Sequence, residues 1–516
     1  MTVRVPALAR LAAAAILGAV SVFGFAPFRL AFLPLLALAL LFMLWRDARS
    51  PRMAATTGLA FGLGFFLSGT SWIYVSLHTF GGMPALLTAV ATFVFCTIVA
   101  GYPALAGWLS ARLSRGGGTA SADAFRLLVA MPACWTACEL LRGTLLTGFP
   151  WLGLGYSQVP GSPLAGYAPV LGSYGVTLVC AIFAGALALL MLRLPAMSAR
   201  WLALPSAVLA AVVAAGAALG AHSWTPPVGQ PVTVALLQGD VAQERKFRPE
   251  VLPLIFADYK EMIEKTDARL IILPETAFPI FLHELDPEYL EELARRSAER
   301  NGDLLFGIAI ADPVARAYFN AVVSAGASPP QAYRKRHLVP FGEFLPFRPI
   351  FAWVLDVLQI PMGDFTAGPE NPPPIAAAGQ QLALSICYED AFGSEMRRQL
   401  PVATMLVNVS NDAWFGDSLA AEQHWQIAQM RALESGRVML RANNTGVTGI
   451  IDVDGTALAR LPVFVKRSLA GTAQGHSGAT PYVRIGEWGV TAIVALALLG
   501  ALAVARLPVL LGAPRS

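Results

Sequence analysis

The stretch LALSICYEDAF, residues 382 to 392, is a largely apolar run that stops at Cys387 and turns into Tyr388, Glu389 and Asp390. A short apolar run bounded by turn-forming residues reads as a strand buried on both faces. RLIILPETAF at 269 to 278 has the same form, with Glu275 where the apolar run ends. PVTVALLQGD (231 to 240), DLLFGIAI (303 to 310), NAVVSAGA (320 to 327) and ATMLVNVSND (403 to 412) read likewise as strands. Between them EYLEELARRSAER (288 to 300) and AAEQHWQIAQMRALESG (420 to 436) read as helices. Strands without a polar face, alternating with helices, make an α/β domain with a covered sheet. Such sheets bind ligands where strands give way to loops at their carboxyl ends, which is where Glu275 and Cys387 stand.

This domain is part of a membrane protein. Of 516 residues, 56% are hydrophobic and 14% charged, and the mean hydropathy is +0.58, outside the range of ordinary soluble enzymes. Residues 1–224 hold no lysine and only Asp47, Asp123 and Glu139 as acids. Apolar runs near 8–25, 30–45, 54–75, 84–109, 125–147, 164–192, 201–222 and 487–506 each approach the roughly 20 residues a hydrocarbon core requires. They predict eight transmembrane helices. The first continues directly into the second without a clean small-residue cleavage pattern, so it is read as retained rather than as a signal peptide. In this arrangement Arg4, Arg10, Arg46, Arg49, Arg52, Arg112, Arg115, Arg126, Arg193, Arg200, Arg506 and Arg515 share one side, against Arg29 and Arg142 on the other. Arginine-rich short loops stay in the cytoplasm, so both termini are expected inside and the segment between helices seven and eight outside. The predicted domains are 1–224 (seven helices), 225–485 (extracytoplasmic) and 486–516 (a last helix and a short cytoplasmic tail).

Cys96, Cys134, Cys138 and Cys180 fall in apolar helices, where cysteine behaves as a small apolar side chain. Cys387 is the one cysteine of the outer domain and has no disulfide partner there, so it is either packing or a reagent. A reactive thiol needs a nearby base or cation, and the sequence offers too many of both to choose one on chemistry alone. Glu139 and Arg142, three residues apart, are spaced to pair on one helix face. Residues 341–374, FGEFLPFRPIFAWVLDVLQIPMGDFTAGPENPPP, form a long irregular loop that reads either as a cover for the core or, in the preferred reading, as an apolar flap that touches the membrane or closes over a lipid chain. The six histidines are scattered, with no metal-ligand spacing, no phosphate-binding glycine loop and no basic face of the kind nucleic acids require. Glu139 alone lies well inside a span, which argues against a transporter.

ILPETAFP around Glu275, YRKRHLVPFGEFLP around Lys335 and SICYEDAF around Cys387 follow in the order acid, lysine, cysteine, and resemble the three motifs of the nitrilase superfamily. With the apolar helices on either side, GFAPF at 24 to 28 and ELLRGTLLTGFPWLGLGYSQ at 139 to 158, the chain resembles from end to end the superfamily's membrane-bound branch, the apolipoprotein N-acyltransferases. That resemblance implies a membrane α-helical bundle joined to an α/β, nitrilase-like αββα sandwich. It implies Cys387 as nucleophile, Glu275 as general base and Lys335 as the cation that stabilises the tetrahedral intermediate. Glu343, Tyr388 and Glu389 match supporting positions, with the backbone N–H of Tyr388 beside Lys335 at the oxyanion. Phe247 stands where the family often carries tryptophan, and Asn411, Asp412 and Trp414, in NVSNDAWFG, resemble a family segment whose place after a strand suggests a pocket wall. The partners implied are a phospholipid acyl donor and a diacylated apolipoprotein acceptor, with no cofactor, no metal and no nucleic acid. The implied place is the bacterial inner membrane, with the catalytic domain periplasmic. The interval from Lys335 to Cys387 is longer than in soluble superfamily members, the excess being the apolar flap. A membrane-tethered amidase would use the same three residues.

Overall fold

The computed structural model describes residues 6–113, 119–196, 198–346, 349 and 364–510. Of the predicted flap, residues 347–348 and 350–363 lie outside the described residues. The chain divides into two compact units, one of residues 1–71, 89–222 and 485–516, the other of 72–88 and 223–484.

In the first unit the helices are longer than a globular core needs and apolar all round, the signature of lipid-facing segments. Among the described residues of the chain, six helices are long and apolar enough to cross a membrane: Ala7–Gly24, Ala85–Leu113, Ala120–Arg142, Pro163–Arg193, Ala199–Gly220 and Trp488–Arg506. A seventh is counted if Pro51–Gly69 and Trp72–Phe80 make one broken span. The expected count of eight is not reached because Phe32–Arg46 has 15 residues, about 22 Å of helix against a core of about 30 Å. Helices Ala7–Ser21 and Pro51–Gly69 touch backbone to backbone. A Cβ on Gly18 would lie 2.0 Å from the Phe61 carbonyl oxygen, and one on Gly64 would lie 2.0 Å from that of Ala15, so only small residues permit this approach. Glu139 and Arg142 are held separately rather than as the expected ion pair. Glu139 accepts from Trp135 Nε1 (3.0 Å), the Leu154 N–H (3.1 Å) and Thr177 Oγ1 (2.9 Å). Arg142 donates to the carbonyls of Phe149 (2.6 Å) and Trp151 (2.5 Å). Both tie down the loop that follows their helix.

The second unit is an αββα sandwich. One sheet contains β1 (Pro227–Gln238), β2 (Leu270–Ile272), β3 (Phe278–Phe281), β4 (Asp303–Asp312), β5 (Ala317–Gly326), β6 (Ala332–Arg334) and β13 (Arg467–His476), in the order β13-β1-β2-β4-β5-β6 with β3 on β4. The other contains β7 (Ile375–Ala377), β8 (Gln380–Ile386), β9 (Met405–Ser410), β10 (Met439–Asn443), β11 (Gly449–Ile451) and β12 (Ala457–Arg460), in the order β12-β11-β10-β9-β8-β7. The central neighbours β1, β2 and β4, and likewise β8, β9 and β10, run parallel. Alternate residues explain the layers. Val232, Val234 and Leu236 of β1 meet Leu384, Val407 and Leu440 between the sheets. Ala235 and Leu237 face Ile255 and Tyr259 of helix Leu252–Glu264 and Leu293 of helix Pro287–Glu299. On the far sheet Ala383, Leu406 and Met439 pack on Trp425, Ala428 and Ala432 of helix Ala420–Ser435. Each central strand is therefore covered on both faces, and where a polar side chain such as Asn408 or Arg441 interrupts the apolar run it too is buried.

Candidate active site

Three strand ends converge. β2 runs out through Leu273 and Pro274 to Glu275, β6 ends immediately before Lys335, and β8 ends immediately before Cys387. Gly307 on β4 makes the first position possible, since a Cβ there would lie 2.5 Å from the Thr276 nitrogen and 2.7 Å from the Glu275 Cα. Cys387 opens a helical turn over Cys387–Ala391 with φ of +53°, a left-handed conformation that a side chain adopts at a cost of about 1–3 kcal/mol. The same conformation recurs at Thr276, with φ of +49°.

Lys335 is 1% exposed. Its Nζ lies 2.9 Å from Glu343 Oε1 and 3.6 Å from Glu275 Oε1. Asn320 on β5 donates through Nδ2 to the same two oxygens, at 2.8 Å to Glu275 and 2.9 Å to Glu343. Glu343 is oriented by the Val339 N–H at 2.8 Å. Burial works against the Lys335 charge, but Glu343 and Glu275 outweigh it and hold the ammonium above the usual lysine range. For Cys387, burial and then the Glu275 carboxylate push the thiol well above its usual range, and Lys335 pulls it down without prevailing. The resting thiol keeps its proton.

Glu389 joins the lysine strand to the cysteine turn. Its Oε1 accepts from the N–H groups of Arg336 (2.7 Å) and His337 (3.0 Å), and its Oε2 from the Ile386 N–H (2.7 Å) and the Tyr333 hydroxyl (2.9 Å). Burial pushes its carboxyl up to about 7, against Lys335 and these backbone donors. Tyr388 is half-buried, its ring edge-on to Phe392 at 5.0 Å. Phe247 is half-buried in the turns after β1, one position beyond Lys246. Lys246, which sequence reasoning passed over, is 2% exposed and donates to the Glu275 carbonyl at 3.2 Å. Burial pushes it down to about 8, against the pull of Glu275. Trp414 is half-buried and meets the Phe80 ring edge-on at 6.5 Å. In the same segment Trp72 packs edge-on against Phe415 at 4.7 Å and donates from Nε1 to Gln423 at 3.2 Å. Among the described residues no group of three or more His, Cys, Asp and Glu side chains is arranged to hold a metal ion.

Two sheets face to face, with an acid, a lysine and a cysteine at their strand ends, define a domain of the carbon-nitrogen hydrolase, or nitrilase, class. The family model of that description matches residues 233–474, and one described as the apolipoprotein N-acyltransferase N-terminal domain matches residues 17–186. The whole chain belongs to the apolipoprotein N-acyltransferase family. It is 49% identical to the apolipoprotein N-acyltransferase of Nitrosomonas europaea over 95% of this chain and 96% of that one. It is 47% identical to that of Methylococcus capsulatus over 90% of each. Among solved structures, a carbon-nitrogen hydrolase from Helicobacter pylori matches 47% of this chain and 88% of its own, at 16% identity and a TM-score of 0.34.

Proposed function

We propose that this protein transfers an acyl chain from a phospholipid to the free α-amine of a diacylglyceryl-cysteine at the N-terminus of an apolipoprotein, through a thioester on Cys387. The observation that carries the reading is the ammonium of Lys335, fixed between Glu343 and Glu275 and within electrostatic reach of the Cys387 thiol, in a chain of this family. Because the resting thiol is protonated, its proton passes to Glu275 as sulfur attacks the ester carbonyl. Lys335 and the Tyr388 N–H stabilise the oxyanion, and Glu343 orients Lys335. The ester C–O bond breaks and the lysophospholipid leaves with the proton from Glu275. In the second half the acceptor amine attacks the thioester, an N–C bond replaces the S–C bond, and the amine proton passes by way of Glu275 back to sulfur. Phe247 and Trp414 are proposed to line the substrate pocket.

Both substrates carry lipid tails, which accounts for a hydrolase-class domain in a multi-pass membrane protein. Residues 225–485 are proposed as the extracytoplasmic catalytic domain, periplasmic in a bacterial inner membrane, with both termini cytoplasmic. The mechanism is tested by intact mass after incubation with phospholipid vesicles. The wild type should gain one acyl chain and release lysophospholipid, and Cys387→Ala should do neither. An adduct that persists in Cys387→Ala overturns the mechanism, and amide hydrolysis without any acyl-enzyme would assign a tethered amidase instead.

A further inference from the structure

Beneath the cysteine turn lies a buried charge cluster that these roles leave unused. His424, on helix Ala420–Ser435, has Nδ1 2.9 Å from Asp412 Oδ1 and Nε2 2.9 Å from Asp390 Oδ1. Arg441 on β10 meets the other oxygens of the same acids, at 3.0 Å to Asp390 Oδ2 and 3.3 Å to Asp412 Oδ2, and donates to Asn408 Oδ1 at 2.6 Å. Asp390, His424 and Arg441 are 0% exposed and Asp412 2%.

A carboxylate only accepts hydrogen bonds, so a ring nitrogen facing one carries a hydrogen. With carboxylates on both nitrogens the ring carries two, and is a cation. The charges then balance, two acids against a guanidinium and an imidazolium, where an uncompensated charge would be costly. The cluster also grips the nucleophile's backbone. His424 Nε2 lies 3.3 Å from the Cys387 carbonyl oxygen, and Asn408 Nδ2 donates to that oxygen at 3.1 Å. Asp390 belongs to the same turn as Cys387.

We propose that His424, doubly protonated between Asp390 and Asp412, is a positioning residue that holds the Cys387 backbone in the left-handed turn from which its thiol attacks. The proposal rests on Cys387 being the nucleophile. The groups facing the ring are Asp390 and the Cys387 carbonyl from the cysteine turn, Asp412 from the turn after β9, and Arg441 from β10. Burial and Arg441 push His424 down, the two acids more than restore it, and the balance lies at about 9. Burial works against the Asp412 carboxylate too, yet His424 and Arg441 hold it below its usual range. Since the folded value exceeds the roughly 6.5 of a free histidine, the stabilisation is complete below that pH and is lost as pH rises through about 9.

The test uses the full-length protein in nanodiscs. With 15N-labelled histidine, both His424 nitrogens should be of the N–H type at neutral pH, and a neutral tautomer overturns the proposal without need of any variant. His424→Gln offers the two acids a single donor nitrogen and no positive charge. It should slow both acylation of Cys387 by phospholipid and its alkylation by iodoacetamide by about tenfold or more. Asp412→Asn should move the alkaline limb of wild-type acylation to lower pH by about one unit. A His424→Gln rate within about twofold of wild type, or an unmoved limb in Asp412→Asn, overturns it. Activity retained in Cys387→Ala sinks the nucleophile assignment instead, whatever charge His424 carries, whereas an inactive Cys387→Ala beside a normal His424→Gln sinks only the positioning role.

Discussion

Asn320 keeps the two acids of the site together. Its amide donates to both Glu275 and Glu343 while Lys335 faces the same oxygens, so two carboxylates share a small space without open repulsion. Asn320→Asp replaces the donor with a third carboxylate. The exchange removes the shared donor and adds repulsion between buried like charges, so acylation should fall by about tenfold or more, and further than in the uncharged control Asn320→Ala. An Asn320→Asp variant that acylates as fast as Asn320→Ala would contradict this account. Glu275, Lys335 and Cys387 were legible because each ends or follows a strand within a recognisable motif. Asn320 reads only as the start of an apolar strand, and His424 as one of six scattered histidines. Their partners come from segments 45 and 34 residues away, and no local pattern encodes such a pairing.

At the level of elements, the site depends on how closely strand ends approach one another. Gly307 lets β4 lie against Pro274, Glu275 and Thr276, where a Cβ would meet backbone atoms at 2.5 to 2.7 Å. Gly307→Val must push that segment away, at a cost of about 1–3 kcal/mol, and carry the Glu275 carboxylate with it. A lower unfolding temperature in a thermal scan is expected together with loss of acyl-adduct formation. A variant that melts like wild type and acylates normally would show that the contact is unimportant. The strands themselves were legible, because unbroken apolar runs of six to ten residues suit a sheet covered on both faces. Helix ends in the apolar half were less so. The run at 54–75 breaks between Gly69 and Trp72, and the run at 30–45 yields only the 15-residue Phe32–Arg46. Hydropathy measures how apolar a segment is and says little about where its backbone turns.

For the whole molecule, the arginine distribution makes a directional prediction. Val314 is 95% exposed on the turn between β4 and β5. Val314→Cys should react with a membrane-impermeant maleimide in cells whose outer membrane alone is permeabilised, and Arg49→Cys only after lysis. The reverse pattern would invert the proposed topology.

The division of the chain has a further bearing on how the protein is made. Residues 72–88 belong with the catalytic unit, and Trp72 is bonded to Gln423 across 351 residues of sequence. At roughly 5–20 residues per second, the ribosome needs about 20 to 70 seconds to travel that distance. The aromatic edge that finishes the enzyme is therefore among the first parts to leave the tunnel, and must wait for its counterpart. A fragment beginning at residue 225 would never receive it, leaving Trp414 and Phe415 without the rings they pack against. Biogenesis here is not a sequence of independent modules, because the second unit is completed by a piece delivered with the first.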